Sequence, residues 1–292
     1  MLYDIRQTTS YTYRAPVPSS RHTIRMQPLS RGAQRAIAAS LTIRPAPTNR
    51  HDAVDFFGNA TTSVLIAESH TELVMTTRAR VEVMHAPAPP LSSAPAWEQI
   101  RSSAALVPDL GPRSPVHFIF PTPLVPIWQD IGDYSRTFFV PGRPILEAAL
   151  DLTKAIKADF KYDASATDVS TPVAQSFLAR AGVCQDFAHI MISGLRTIGV
   201  PATYVSGYLR TEPPPGQPRL MGADATHAWI EVWCGISHGW LGFDPTNGVM
   251  VGDDHIVLAV GRDYSDVSPT VGAFKSQGDH SMTVAVDVVA IG

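Results

Sequence analysis

Residues 182–210 read GVCQDFAHIMISGLRTIGVPATYVSGYLR, and their pattern indicates the fold of the C-terminal half of the chain. Apolar residues recur at the spacing of one helix face, at Ala188, Met191, Leu195 and Ile198. The pattern predicts a helix over residues 184–199, which ends before Val200-Pro201. A strand-like run over residues 202–210 follows directly. The stretch therefore predicts a helix that leads into a sheet, with a cysteine in the first helical turn.

The elements around this stretch follow an α+β order. Two more helical patterns precede it, one over residues 144–160 with Pro144 in the first turn and one that begins at Thr171-Pro172. Further strand-like runs follow it, over residues 224–234, 239–244, 256–260 and 282–291. Helices first and antiparallel strands second indicate an α+β core, which we assign to residues 141–292.

The N-terminal part has a different pattern. Residues 1–84 alternate polar and apolar side chains with the period of half-buried strands, which predicts a small all-β domain with a sandwich architecture. Ten of the 25 prolines then fall between His85 and Pro126. Proline is excluded from helix interiors and central strands, so residues 85–140 are predicted to be an extended connector with one short helix near residues 97–106.

Composition excludes several classes of protein. A net charge of −3 argues against nucleic acid as a partner, and the longest apolar run, residues 256–260, is too short to span a bilayer. No basic and apolar secretory leader is visible, and two cysteines give no disulfide framework, so we expect a cytoplasmic protein. Eight arginines and no acid lie between Asp4 and Asp52, which suggests either an acidic partner or an ordinary solvated β-surface.

Cys184 directly follows Gly182-Val183 at the start of the predicted helix. The first backbone N–H groups of a helix lack internal partners, and the helix dipole adds about half a positive charge there. Both effects favour thiolate over thiol, as a nucleophilic cysteine requires, and the N–H of Cys184 is a candidate oxyanion donor. The alternative is a buried structural cysteine, which is the role predicted for Cys234 on its apolar strand face.

His227 and Asp244 are the candidate partners of this cysteine. A short turn joins the strands over residues 224–234 and 239–244, which predicts that they pair antiparallel. Asp244 is then placed to hold the Nδ1–H of His227 and leave Nε2 for the thiol. Asp224 is a competing orienter. Asp244 alone is also consistent with a turn-capping residue before Pro245.

A zinc site is the competing interpretation of these residues. Cys184, His189, His227 and Asp244 are all ligand types. However, His189 lies about 140° around the helix from Cys184, and no Cys-x-x-Cys spacing is present. We therefore predict no metal and no other cofactor.

Five segments around these residues resemble the core of bacterial transglutaminase-like proteins: residues 182–189, 199–202, 205–208, 225–232 and 242–247. Several N-terminal residues are similar to the β-rich N-terminal domain of that family, namely Thr9, Tyr11, Tyr13, Pro16-Val17, His22, Arg25 and Pro28. Residues 260–269 and 278–280 resemble its C-terminal part. The resemblance therefore extends over nearly the whole chain.

The resemblance implies a papain-like core in which Cys184, His227 and Asp244 form a catalytic triad. It also implies thiol-dependent acyl transfer at an amide carbonyl of a peptide or protein. The acids near Asp253-Asp254 show no calcium-loop pattern, which favours hydrolysis by a cysteine peptidase or amidase. The alternatives are a protein-glutamine γ-glutamyltransferase that cross-links or deamidates, and a peptide-binding module without turnover.

Other candidate site residues rest on weaker signals. Gln185, Tyr162 and Trp229 are candidates for the oxyanion site or the cleft wall, although aromatic residues more often belong to a core. Arg262, Asp263 and Tyr264 are candidates for substrate contact or, alternatively, for a buried ion pair. The proline-rich loop over residues 212–218 is a candidate cover for the cleft.

Overall fold

The chain folds into a β-rich N-terminal region and a helix-plus-sheet core. The computed structural model describes residues 1–211, 225–274 and 278–291. The N-terminal strands are β1 (Leu2–Val17), β2 (Ser20–Ile24), β3 (Gln34–Arg44), β4 (Asn49–Val54), β5 (Ala60–Ile66) and β6 (His70–Val83). Then follow α1 (Trp97–Ala104), α2 (Gln129–Arg136), α3 (Ile145–Asp159), β7 (Lys161–Tyr162), α4 (Val173–Ala179), β8 (Ala181–Gly182) and α5 (Cys184–Thr197). The last elements are β9 (Ala202–Leu209), β10 (Ala225–Trp233), β11 (Trp240–Asp244), β12 (Val249–Met250), β13 (His255–Gly261), α6 (Tyr264–Val267), β14 (Thr270–Phe274) and β15 (His280–Ala290).

The N-terminal region is a sandwich, as the alternating pattern predicts. One sheet has the order β15-β1-β6-β3 and the other has the order β14-β2-β5-β4. The side chains that alternate inward from both sheets form one apolar cluster, which includes Tyr13, Val17, Ile24, Leu41, Val64, Ile66, Leu73 and Met75. The end of the chain supplies one edge strand to each sheet: β15 pairs with β1 and β14 pairs with β2. Residues 141–292 therefore contribute to the sandwich as well as to the core.

The core is α+β, as predicted from the order of its elements. Its five-stranded sheet has the order β12-β11-β10-β9-β13, and every pairing in it is antiparallel. Helices α3 and α5 cover one face of this sheet. Their contact forms an apolar cluster that includes Leu152, Ile156, Met191, Leu195, Ile230, Val232 and Phe243. Cys234 is fully buried in the same cluster, which confirms its assignment to the core.

The connector holds more helix than its prolines suggest. The predicted short helix is present as α1, but α2 is an additional helix that lies against α5. Glycine permits this close contact, because a Cβ at Gly194 would stand 1.9 Å from Ser135 Oγ. The short length of α2 and the prolines before it hide its pattern. No helix among the described residues is long and apolar enough to cross a membrane.

The sandwich and the core sheet share an interface. Apolar residues of both pack together, including Tyr3, Ile5, Val81, Tyr208, Ile256, Leu258 and Val286. Two amide side chains of the sandwich also bond to edge strand β13: Gln34 to the N–H and C=O of Val257, at 2.7 and 2.9 Å, and Asn59 to those of Val260, at 2.8 Å each. These bonds satisfy backbone groups that an edge strand otherwise leaves open.

Candidate active site

Cys184 begins α5, where the sequence places it. Its helix is capped by Asp186, whose Oδ2 accepts the Val183 N–H at 2.8 Å and the Thr167 hydroxyl at 2.7 Å. Asp186 is buried, and burial raises the pKa of its carboxyl despite these bonds. The acid in the first turn therefore fixes the start of the helix and the loop before it, while the Cys184 side chain stays partly exposed.

His227 lies on β10 and joins the cysteine to the aspartate. Its Nε2 lies 2.8 Å from Asp244 Oδ2, and its ring lies close enough to Cys184 for the two groups to interact electrostatically. Because Nε2 is bound to the carboxylate, Nδ1 is the nitrogen left for the thiol. The expectation that Asp244 holds Nδ1 was therefore wrong. The side-chain rotamer of His227 determines which ring nitrogen faces Asp244, and no local sequence pattern predicts that rotamer.

Asp244 is fully buried and its carboxylate accepts five hydrogen bonds. Oδ1 accepts the backbone N–H groups of Thr246, at 2.9 Å, and Asn247, at 3.1 Å. Oδ2 accepts from His227, from His255 Nε2 at 3.1 Å and from the Asn247 amide at 2.7 Å. Asp244 therefore orients His227 with one oxygen and caps the turn with the other, so the two roles considered for it coexist.

These contacts shift the pKa values of His227 and Asp244. Burial alone lowers the pKa of His227, but hydrogen bonds and charges from Asp244 and Cys184 outweigh it and raise the pKa to about 9. Burial would raise the pKa of Asp244, but the bonds from His227 and His255 hold that pKa far below its usual range. Both shifts favour a protonated imidazole beside an ionised aspartate.

His255 is a second histidine on the same aspartate, and the sequence reasoning missed it. Its Nδ1 accepts the backbone N–H of Gly252 at 3.3 Å, so Nε2 carries the hydrogen that it donates to Asp244. Asn247 was also missed, although it lies in the same turn as Asp244. The signal for His255 was weak, because it starts a strand that is separated from the strand of Asp244 by two other strands of the sheet.

His227, Asp244 and His255 form the one cluster of three metal-ligand side chains found among the described residues. Ligand atoms of His227, Asp244 and His255 lie within 4.8 Å of one another. A metal bound through Nε2 of neutral His255 would require a hydrogen on Nδ1, which faces the Gly252 N–H. The hydrogen bonds therefore favour a proton network over a metal site. His189 is not part of this group. Its Nε2 instead accepts a hydrogen bond from the backbone N–H of Tyr264 at 3.2 Å.

The cleft candidates take different positions around the triad. Trp229 is buried, with its ring centroid 6.0 Å from that of His227 and 5.2 Å from that of His255. Tyr162 is 53% exposed, and the nearby charge of Cys184 adds to burial in raising the pKa of its hydroxyl. Gln185 donates to the Val169 carbonyl at 3.3 Å. Their roles at the site stay predictions.

The three C-terminal candidates make internal contacts. Arg262 forms an ion pair with Asp266 at 2.8 Å. Asp263 caps α6 by accepting the Ser265 N–H at 2.8 Å, and the Tyr264 backbone N–H binds His189. Substrate contact by these residues stays a prediction. Asp224 and the candidate cover over residues 212–218 lie outside the described residues.

Comparison with known proteins identifies the family. Residues 3–82 match the bacterial transglutaminase-like N-terminal region, and residues 133–245 match the transglutaminase-like superfamily. An uncharacterized protein of Mycobacterium tuberculosis is 40% identical over 294 residues, which cover 98% of this chain and 92% of that protein. A protein-glutamine gamma-glutamyltransferase of Pseudomonas aeruginosa is 41% identical over 71 residues, which cover 24% of this chain and 10% of that enzyme.

A solved structure supports the fold. A protein of Cytophaga hutchinsonii, provisionally described as a cysteine protease, superposes with a TM-score of 0.75 at 20% identity. The match covers 100% of this chain and 92% of that one, so it includes the sandwich as well as the core. Together with the family matches, it leads to one conclusion. This chain belongs to the transglutaminase-like superfamily.

Proposed function

We propose that this protein is a cysteine amidase or peptidase that hydrolyses an amide bond of a peptide or protein through Cys184, His227 and Asp244. One observation carries the proposal: His227 lies beside a partly exposed cysteine at a helix start and binds a buried carboxylate through Nε2. A nucleophile, a base and a group that orients the base are the parts that acyl transfer by a thiol needs.

The proposed reaction has two halves. The Cys184 thiolate attacks the amide carbonyl carbon, and the negative oxygen is stabilised by N–H groups at the start of α5. The C–N bond then breaks, His227 gives its proton to the leaving amine, and a thioester remains on Cys184. In the second half, His227 takes a proton from water, the hydroxide attacks the thioester, and the acid leaves while Cys184 returns to the thiolate.

Transfer to an amine is the second candidate. The segment shared with the gamma-glutamyltransferase of Pseudomonas aeruginosa favours it. Water is present at about 55 M, so an amine competes only where a second path positions it, and such positioning can be worth roughly 10⁵ M in effective concentration. The described residues offer no apolar channel that we can assign to an amine, and we therefore propose hydrolysis.

We also propose a cytoplasmic location. The two unpaired cysteines are consistent with such a reducing compartment.

The test uses a library of glutamine-containing peptides with and without a millimolar primary amine. We expect an acyl group on Cys184 by mass spectrometry, release of the hydrolysed product, and neither in Cys184→Ala. Cys234→Ala is the matched control and should retain turnover. Dominant amine incorporation would establish the transferase instead, and binding without any acyl-enzyme would establish the peptide-binding module.

A further inference from the structure

A cavity of about 720 Å³ lies between the sandwich and the core sheet. The sandwich side is formed by residues 31–34, Val83 and the start of the connector, residues 85–89. The opposite side is formed by core residues that include Trp229, Glu231, Trp240, Met250, Val257 and His255. Neither Cys184 nor His227 lines it. Its size is that of a small-molecule site, and such sites often lie where two structural regions meet.

Arg31 is the unusual residue in the wall of this cavity. Its Nε is buried and has no hydrogen-bond partner within residues 1–211, 225–274 and 278–291. Some other arginines of the sandwich, though not all, have acidic partners: Arg25 pairs with Asp55, Arg35 with Glu82 and Arg50 with Asp52. Arg31, in contrast to these three arginines, forms no ion pair with an acid among the described residues.

The acid whose charge acts most strongly on Arg31 is already paired. Glu231 lies 2.9 Å from Arg113, which also lines the cavity and stacks over Trp240. Burial, with a smaller effect from Arg113, lowers the pKa of Arg31 to about 10, although the charge of Glu231 raises it. Two arginines thus face one glutamate, and Arg31 stays charged at neutral pH. A partly buried guanidinium whose Nε has no partner is unfavourable, so this wall is suited to an anion.

The cavity also has apolar surface in its wall. Trp240, Met250 and Val257 line it, together with prolines of the connector. Asp253, the other acid in the wall, accepts hydrogen bonds from the backbone and ring of His85. A ligand that matches these features has one anionic group and an apolar body.

We propose that the cavity binds a small-molecule carboxylate, with the carboxylate on Arg31 and the apolar body against Trp240, Met250 and Val257. A planar guanidinium can donate two parallel hydrogen bonds to one carboxylate. The site gives the sandwich a role that does not depend on Cys184. Although Trp229 and His255 of its wall also lie near the triad, binding at this site needs no reaction at Cys184 and can therefore be tested apart from the proposed hydrolysis.

Calorimetry and thermal unfolding on the full chain test this. The probes are hexanoate, 3-phenylpropanoate and indole-3-propanoate, each compared with the alcohol that lacks its charge. We expect at least one carboxylate to bind saturably below about 10 mM and to raise the melting temperature, while its alcohol does neither. Equal binding of the alcohol, or no saturable binding by any of the three acids, would overturn the proposal.

Variants locate the binding. Arg31→Met should weaken carboxylate binding about tenfold or more. Without ligand it should melt at the same temperature as the wild type or higher, because it removes a partly buried charge whose Nε has no partner. Arg31→Lys keeps the charge but lacks the planar guanidinium that donates two parallel hydrogen bonds, so it should bind with intermediate affinity. Arg78→Met, at an exposed arginine outside the cavity, is the matched control and should bind normally. Unchanged affinity in Arg31→Met, or a marked loss of its stability, would contradict the assignment.

Discussion

His255 donates a hydrogen bond to Asp244 on Oδ2, the oxygen that also accepts from His227. The two Nε2 atoms lie 3.1 and 2.8 Å from that oxygen. The Gly252 N–H fixes the tautomer of His255, so this donor is permanent in the neutral ring. We therefore expect His255 to act on the proposed reaction through Asp244, as a positioning residue.

His255→Leu should lower kcat by roughly 10- to 100-fold with little change in KM. A hydrogen bond to a charged group contributes about 1.5–3 kcal/mol, and the orientation of Asp244 matters most when His227 moves its proton. His255→Gln, whose amide can still donate from a similar position, should recover part of the loss. Steady-state kinetics with a cleaved peptide measure both variants.

The control for this prediction separates positioning from folding. His85→Leu changes a histidine that pairs with Asp253 away from the triad, and it should leave kcat unchanged. If His255→Leu and His255→Gln lose the same activity and the same stability, His255 has only a structural role.

Asp244→Asn should lower turnover by on the order of 10² to 10⁴, because an amide permits the wrong tautomer of His227. The fold should persist, since the amide oxygen can still accept the N–H groups of Thr246 and Asn247. Circular dichroism and turnover test the two statements separately. Asp253→Asn is the matched control, and a larger loss there than in Asp244→Asn would contradict the triad.

Local patterns in the sequence predict the parts of the site that depend on one element. The helical period places Cys184 in the first turn of α5, and strand alternation separates His227 from the buried face that holds Cys234. The short turn between β10 and β11 predicts that Asp244 lies near His227. Each of these inferences needs only the geometry of one helix, one strand or one hairpin.

Other features depend on contacts between distant segments. His255 reaches Asp244 from β13, and β9 and β10 lie between their strands in the sheet. The ring nitrogen that Asp244 binds depends on a rotamer set by packing. The pairing of β15 with β1 joins the two ends of the chain, and no local pattern specifies such a partner.

The two cysteines should differ strongly in reactivity. Cys184 is partly exposed beside His227, whereas Cys234 is fully buried and burial raises the pKa of its thiol well above the usual value. Iodoacetamide at pH 6 should therefore label Cys184 well before Cys234, as followed by peptide mass spectrometry. His227→Ala should slow the labelling of Cys184 and leave Cys234 unchanged. Equal rates for the two cysteines would remove the basis for assigning the nucleophile.

Stability should fall at alkaline pH because of His227. Its pKa is about 9 in the folded protein, above the value of about 6.5 expected in the unfolded chain. The folded state therefore binds more protons between these values, and the free energy of unfolding decreases as pH rises from 6.5 through 9. The stabilisation is complete below pH 6.5 and is lost above pH 9. Its upper limit is about 3 kcal/mol.

Urea unfolding at several pH values between 6 and 10 measures this dependence. The wild type should lose more stability over that range than His227→Gln, which cannot take up the proton but can still contact Asp244. The difference between the two curves isolates the contribution of His227 from that of other titrating groups. Parallel curves would show that His227 has the same proton affinity in both states. That outcome would remove the charged imidazole from the proposed resting site and leave His227 neutral before substrate binds.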